Sequence, residues 1–233
     1  DVPRLVALQG ELGGDGVEPL YRHPADEQPA MQRFTPTVER IRRAVERRVG
    51  HPLNHALIQQ YRHGKDWISE HADKTLDLVR PSFIVNVSLG QRRTMILRPK
   101  HGDAPLQRIP LPHGSLLQMD LATNQQWFHG IKQEGASDGA RISLTFRQIG
   151  TSWDPAADAV WGIGAPSADR GEATRRAQAR AARDPAVAAR EDRAEAERMI
   201  QLFRDENNDP TFDARAAYHP GFELRNLGIL NTP

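Results

Sequence analysis

The stretch RISLTFR, residues 141–147, bears most on how the chain folds. As a strand its two-residue period puts Arg141, Ser143, Thr145 and Arg147 on one face. Its surroundings, residues 55–149, share a texture of short apolar or alternating runs separated by turn residues: ALIQQY, SFIVNVSLG, RTMILRP, QRIPLPHGSLLQMD and RISLTFRQI. Many short strands predict a sandwich, a barrel or a jelly roll. An arginine facing the inside of such a fold is costly to bury unless an anion pairs with it, so an acidic ligand is expected there.

Working outward, TPTVERIRRAVERRVG (35–50) has a Thr-Pro start, apolar Val38, Ile41, Val45 and Val49 at helical spacing, and a terminal Gly50, which predicts an amphipathic helix. Beyond residue 150 come Gly and Pro punctuation and then an Ala-, Arg- and Glu-rich stretch, 171–207, broken at Asp184-Pro185. This reads as two helices packed on the body or a partly ordered extension, with Met199, Leu202 and Phe203 as the docking stripe. The chain thus divides into a segment 1–34, a strand-rich core 35–150 and a helical C-terminal extension 151–233, with no internal repeat.

The 233 residues allow one domain with an appendage or two small domains. No cysteine is present, which excludes disulfide scaffolds, thiolate metal sites and cysteine nucleophiles, so a metal must sit on His and carboxylate. The apolar runs are too short to span a bilayer and no signal segment opens the chain, so a soluble intracellular protein without membrane contact is the expectation; a monomer in the nucleus or cytoplasm is expected as well. Residues 1–150 carry 20 Lys and Arg against 16 Asp and Glu, the remainder 11 against 14. The body is therefore the part suited to an anionic partner, by a modest margin.

GKDWISEHADKTLD (64–77) places His71 and Asp73 two apart, which on a strand would aim both at one point. A His-x-Asp pair also occurs by chance in many proteins, and two ligands hold a metal poorly. Nine histidines are available for a third ligand, and His129 in NQQWFHGI (124–131) adjoins a strand-like segment. Two histidines and one carboxylate form a facial set suited to ferrous iron with open positions. Trp127 and Phe128 read as core filling, Asn124 as shaping a turn, and Arg92, Arg93 and Arg98 as either a phosphate-tracking cluster or an exposed charged strand.

VPR at the start, QQYRHGKDWISEHAD, NVSLGQRRTMILR, HGSLLQMDLATNQQWFHGI and RISLTFR occur in this order over most of residues 1–150. In these pieces the chain resembles the AlkB-type branch of the iron(II)- and 2-oxoglutarate-dependent dioxygenases, close to its eukaryotic nucleic-acid repair members. The resemblance implies a double-stranded β-helix, or jelly roll, with Fe(II) held by His71, Asp73 and His129. It implies 2-oxoglutarate with its far carboxylate on Arg141, contacted by Tyr61, Gln59 and Ser143 and supported by Arg147, with O2 as the other cosubstrate. Gln59 stands where the family has Asn, Ser143 where it has Asn, and Thr75 where repair members carry an acid that reads the base.

The resemblance further implies a nucleotide-recognition lid in residues 1–34, with Tyr21 and His23 as rings able to stack on an extruded base. Arg4, Arg22 and Arg92 would then meet flanking phosphates of DNA or RNA. The implied function is oxidative dealkylation of N-alkylated bases, releasing succinate, CO2 and an aldehyde. Hydroxylation of a small molecule or protein side chain is the alternative, favoured by Thr75 and the limited basic charge. A non-catalytic binding module would have no reason to keep the iron ligands and both arginines in register.

Overall fold

Residues 4–24, 29–135 and 139–231 are described in the structure, a computed structural model. Strands β1 (Leu5–Gly10), β2 (Glu18–Pro19) and β3 (Met31–Arg33) precede helix α1 (Pro36–Val49). Next come β4 (His55–Tyr61), β5 (Ile68–His71), β6 (Phe83–Gly90), β7 (Arg93–Pro99), β8 (Gln107–Leu111) and β9 (Ser115–Asp120). A short helix α2 (Leu121–Gln126) leads into β10 (Trp127–Ile131) and β11 (Arg141–Arg147). A hairpin of β12 (Thr151–Asp154) and β13 (Ala159–Gly162) is followed by helices α3 (Arg170–Ala181), α4 (Pro185–Asn208) and α5 (Ala214–Ala217).

The expected helix over 35–50 forms with the expected caps. The Thr35 hydroxyl accepts from the Val38 N–H, Pro36 sits in the first turn, and Gly50 closes the helix at φ 80°, where a Cβ would be strained. Its buried Val38 and Val45 pack on Ala56, Val85, Val87, Leu144 and Phe146, residues that lie on one face of β4, β6 and β11.

One sheet runs β3-β1-β4-β11-β6-β9 and a second β5-β10-β7-β8, so the chain from β4 to β11 crosses between two sheets at nearly every turn. That winding is the double-stranded β-helix, a jelly roll with helices on its flanks. Register places Arg141 opposite Tyr61 and Gly90, Ser143 opposite Gln59 and Ser88, and Thr145 opposite Leu57 and Asn86. With α1 covering the other face, these alternate positions of the large sheet turn toward the small one, and the space between the sheets is the cavity described below.

The expected boundaries at 34 and 150 are crossed by strand pairing. β1 and β3 belong to the large sheet, and β2 joins β12 and β13 in a third sheet. The extension thus opens with a hairpin before its helices. Of the expected docking stripe, Met199 and Phe203 are fully buried with Ala196, Tyr218, Phe222 and Leu227, against Leu76 of the body, and Leu202 packs at the edge. Among the described residues no helix is long and apolar enough to cross a membrane.

Candidate metal centre and its cavity

Strand β5 ends at His71, so Asp73 lies beyond it on a loop and the shared-strand parity expected for the pair does not apply. Its place is set another way. Four successive backbone N–H groups of this loop donate to side chains from distant parts of the chain: Ala72 to Asn207 Oδ1 (3.1 Å), Asp73 to Asn124 Oδ1 (2.8 Å), Lys74 to the Tyr21 hydroxyl (3.1 Å) and Thr75 to Glu206 Oε1 (3.1 Å). Asn124 also donates back to the Asp73 carbonyl (2.9 Å), so this residue shapes more than a turn. The buried amides that would otherwise need a β-ladder are satisfied without one.

His71 and His129 face each other across the β5–β10 pair with ring centroids 4.4 Å apart. Asp73 Oδ1 lies 3.6 Å from His71 Nε2 and 3.7 Å from His129 Nε2, and the three residues' ligand atoms all fall within 4.8 Å of one another. His71 Nδ1 donates to the Ser69 carbonyl (2.8 Å), which turns Nε2 toward the cluster. Burial, then the neighbouring His71, lowers the His129 pKa to about 3, so its imidazole is neutral at ordinary pH. Burial alone would raise the Asp73 carboxyl, but the Arg147 charge and the two imidazoles override it and hold it well below the usual range. Arg147 Nε and Nη2 both donate to Asp73 Oδ2 (2.9 and 2.5 Å), so Oδ1 is the oxygen left for a metal. Two imidazole nitrogens and one ionised carboxylate converging on a point are the donor set of a facial ferrous site.

A cavity of about 660 Å³ opens beside this cluster, between the sheets. Arg141, Ser143, Thr145 and Arg147 all line it, as the alternation in RISLTFR implies. Arg141 is 1% exposed; its Nη2 donates to Asn86 Oδ1 (3.1 Å) and Ser88 Oγ (2.8 Å), and its Cζ lies 5.1 Å from the Tyr61 ring centre. Arg141 Nη1 is buried without a hydrogen-bond partner. An unmet guanidinium donor costs stability in a closed protein, and a carboxylate in the cavity would meet it. Gln59 and Tyr61 line the same space, with the Tyr61 hydroxyl 3.5 Å from Gln59 Oε1, and Ser143 Oγ accepts from Asn86 Nδ2 (2.6 Å). The residues present therefore fit both a ferrous ion and a dicarboxylate.

The substrate-side expectations fare unevenly. Tyr21, His23 and Arg4 line the cavity. Tyr21 is 7% exposed and lies under the Arg147 guanidinium (4.5 Å), a wall rather than a free ring. Burial, then Arg147, lowers the His23 pKa to about 4. Arg4 Nη1 donates to the Trp67 carbonyl (3.1 Å). Thr75 does not line this cavity: it is buried, its hydroxyl bonds Glu206 and Arg80, and it borders a second, smaller cavity. Arg22 cannot meet phosphate either, because it is 1% exposed, forms a bidentate pair with Asp77, and donates to the carbonyls of Gly164, Phe222 and Leu224. Of the basic cluster, Arg93 is buried, Arg98 pairs with Glu70, and Arg92 is exposed away from the cavity lining. Val2 and Pro3 of VPR and residues 25–28 of the lid segment lie outside the described residues. Sequence reasoning missed Lys74, Asn207 and Arg204 in the cavity wall and took Asn124, which stands behind the aspartate, for a turn former; none of the four carries a local motif.

The model of the 2OG-Fe(II) oxygenase superfamily matches residues 1–147. The chain belongs to that superfamily, whose members use Fe(II), 2-oxoglutarate and O2. It is 39% identical over 123 residues to human DNA oxidative demethylase ALKBH2, covering 50% of this chain and 47% of that one. With human alpha-ketoglutarate-dependent dioxygenase alkB homolog 3 it shares 32% over 155 residues, 63% of this chain and 52% of that one. The match thus spans about half the length of these relatives, and helices α3 to α5 lie beyond the family match.

Proposed function

We propose that the protein is an Fe(II)- and 2-oxoglutarate-dependent dioxygenase that oxidatively dealkylates N-alkylated bases in DNA or RNA, releasing succinate, CO2 and an aldehyde. The observation that carries this reading is the meeting, in one cavity, of the His71–Asp73–His129 cluster with an Arg141 guanidinium that has a buried unpaired N–H. The superfamily membership and the names of the human relatives support it.

His71 Nε2, His129 Nε2 and Asp73 Oδ1 would hold the iron, and Arg147 keeps Asp73 ionised and oriented. Arg141 would take the far carboxylate of 2-oxoglutarate, an orienting contact that suits a planar guanidinium, with Tyr61, Gln59 and Ser143 shaping the pocket. Bound iron with 2-oxoglutarate and O2 supplies an oxidant able to hydroxylate an N-methyl carbon, and the N-hydroxymethyl product separates into formaldehyde and the bare amine. His23, with Tyr21 beside it in the cavity wall, is the ring on which a base leaving its stack would rest. We take the enzyme to act as a monomer, since all these groups come from one chain.

Succinate and formaldehyde are to be measured with iron, 2-oxoglutarate and an oligonucleotide carrying N-methylated adenine. Both products should form in equal amounts, and both should vanish in D73A. Succinate without formaldehyde from any methylated oligonucleotide would overturn the base-dealkylase reading while leaving the oxygenase in place.

A further inference from the structure

The family match stops at residue 147, yet the last turns of helix α4, well beyond it, form part of the cavity wall. Ile200, Phe203, Arg204, Asn207 and Asn208 recur at three- and four-residue spacing and so make one stripe of the helix. That end is fastened to the metal loop: Asn207 Oδ1 accepts from the Ala72 N–H and from Lys74 Nζ (3.3 Å). Lys100 Nζ donates to the Glu206 carbonyl (2.8 Å), a cation at the helix C-terminus where the carbonyls lack helical partners.

The charge of the cavity is lopsided. Five cationic side chains line it, Arg4, Lys74, Arg141, Arg147 and Arg204, against one acid, Asp73. Arg147 pairs with Asp73, and Arg141 is assigned above to the cosubstrate. A ferrous ion and a 2-oxoglutarate dianion cancel, so the surplus stays. Arg4, Lys74 and Arg204 have no ion-pair partner among the described residues, and Lys74, 5% exposed, gives its ammonium only to the neutral Asn207 amide. A buried ammonium with donors to spare facing a cavity calls for an anion on the incoming molecule.

We propose that Arg204 and Asn207 of helix α4, with Lys74, form an anion subsite that takes a phosphodiester beside the base under attack. The C-terminal extension is then a specificity-determining wall that favours polymer over free nucleoside. This deepens the base-dealkylase reading and rests on it.

The test compares formaldehyde release from an oligonucleotide carrying N1-methyladenine with release from free N1-methyladenosine, for wild type, R204A and R204E, across a salt series. Arg204 is exposed on a helix and alanine is the best helix former, so R204A should fold, which circular dichroism checks. R204A should raise the oligonucleotide KM about tenfold, more than it changes kcat, as expected for loss of one charge-assisted contact. It should also flatten the slope of log KM against log salt by roughly 0.7 to 0.9, shrink the preference for oligonucleotide over nucleoside, and be exceeded by R204E. Wild-type KM and salt slope in both variants, or a wild-type enzyme that handles nucleoside and oligonucleotide alike, would overturn the subsite and leave dealkylation standing. A wild-type enzyme that releases formaldehyde from neither substrate overturns both.

Discussion

Asn124 holds Asp73 by both backbone groups and Arg147 holds its carboxylate, so the aspartate reaches the two imidazoles already oriented. Asn124→Ala removes the backbone clamp without touching a ligand atom, and loss of such an outer partner typically weakens metal binding about 10- to 100-fold. Titration with Co(II), followed by its visible absorption, should show that loss; affinity equal to wild type would mean that Arg147 alone positions the carboxylate. Arg141→Lys keeps a charge but not the planar fork, so the KM for 2-oxoglutarate in succinate release should rise roughly tenfold or more. An unchanged requirement for 2-oxoglutarate would assign Arg141 to the Asn86–Ser88 framework instead.

At the scale of elements, the docking of helix α4 on the metal loop passes through a buried acid. Burial raises the Glu206 carboxyl above its ordinary value although Thr75 and Tyr218 donate to it. The folded protein therefore keeps this proton where the unfolded chain has released it. The contribution of Glu206 to stability must fall as pH rises through the unfolded value toward the raised folded one. The stability of wild type minus that of Glu206→Gln, from denaturant melts, should decline from about pH 4 toward neutrality; a flat or rising difference would contradict the burial. The same docking explains what was legible in the sequence. Helix α1 could be read because its cap residues and apolar spacing are adjacent in sequence, and strand β11 because the period of two is local. Asp73 was reached through strand parity and the family resemblance, yet parity does not place it, since its loop is shaped by side chains from Tyr21 to Asn207. Arg22 and Thr75 were misplaced for a related reason: their partners Phe222, Leu224 and Glu206 lie beyond residue 200, where no motif points back at the barrel.

For the molecule as a whole, the extension is part of one folded body. Gly164 shows how close the approach is, since a Cβ there would lie 2.2 Å from Asp77 Oδ1 and 2.4 Å from Arg22 Nη2. Truncation after Gly150 strips Arg22 of three carbonyl partners and bares Leu76. The loss should be at least about 3 kcal/mol, or roughly 6 to 12 °C in Tm, read by thermal melting; a truncated chain melting with the full one would show the extension to be an independent appendage. The four loop amides also form a built-in gauge of this attachment. Ala72 and Thr75, the outer pair, are held by α4, whereas Asp73 and Lys74, the inner pair, are held by Asn124 and Tyr21. Deuterium uptake resolved to single residues should then separate two kinds of opening: lifting of the helix end labels the outer pair first, while melting of the whole loop labels all four at a common rate.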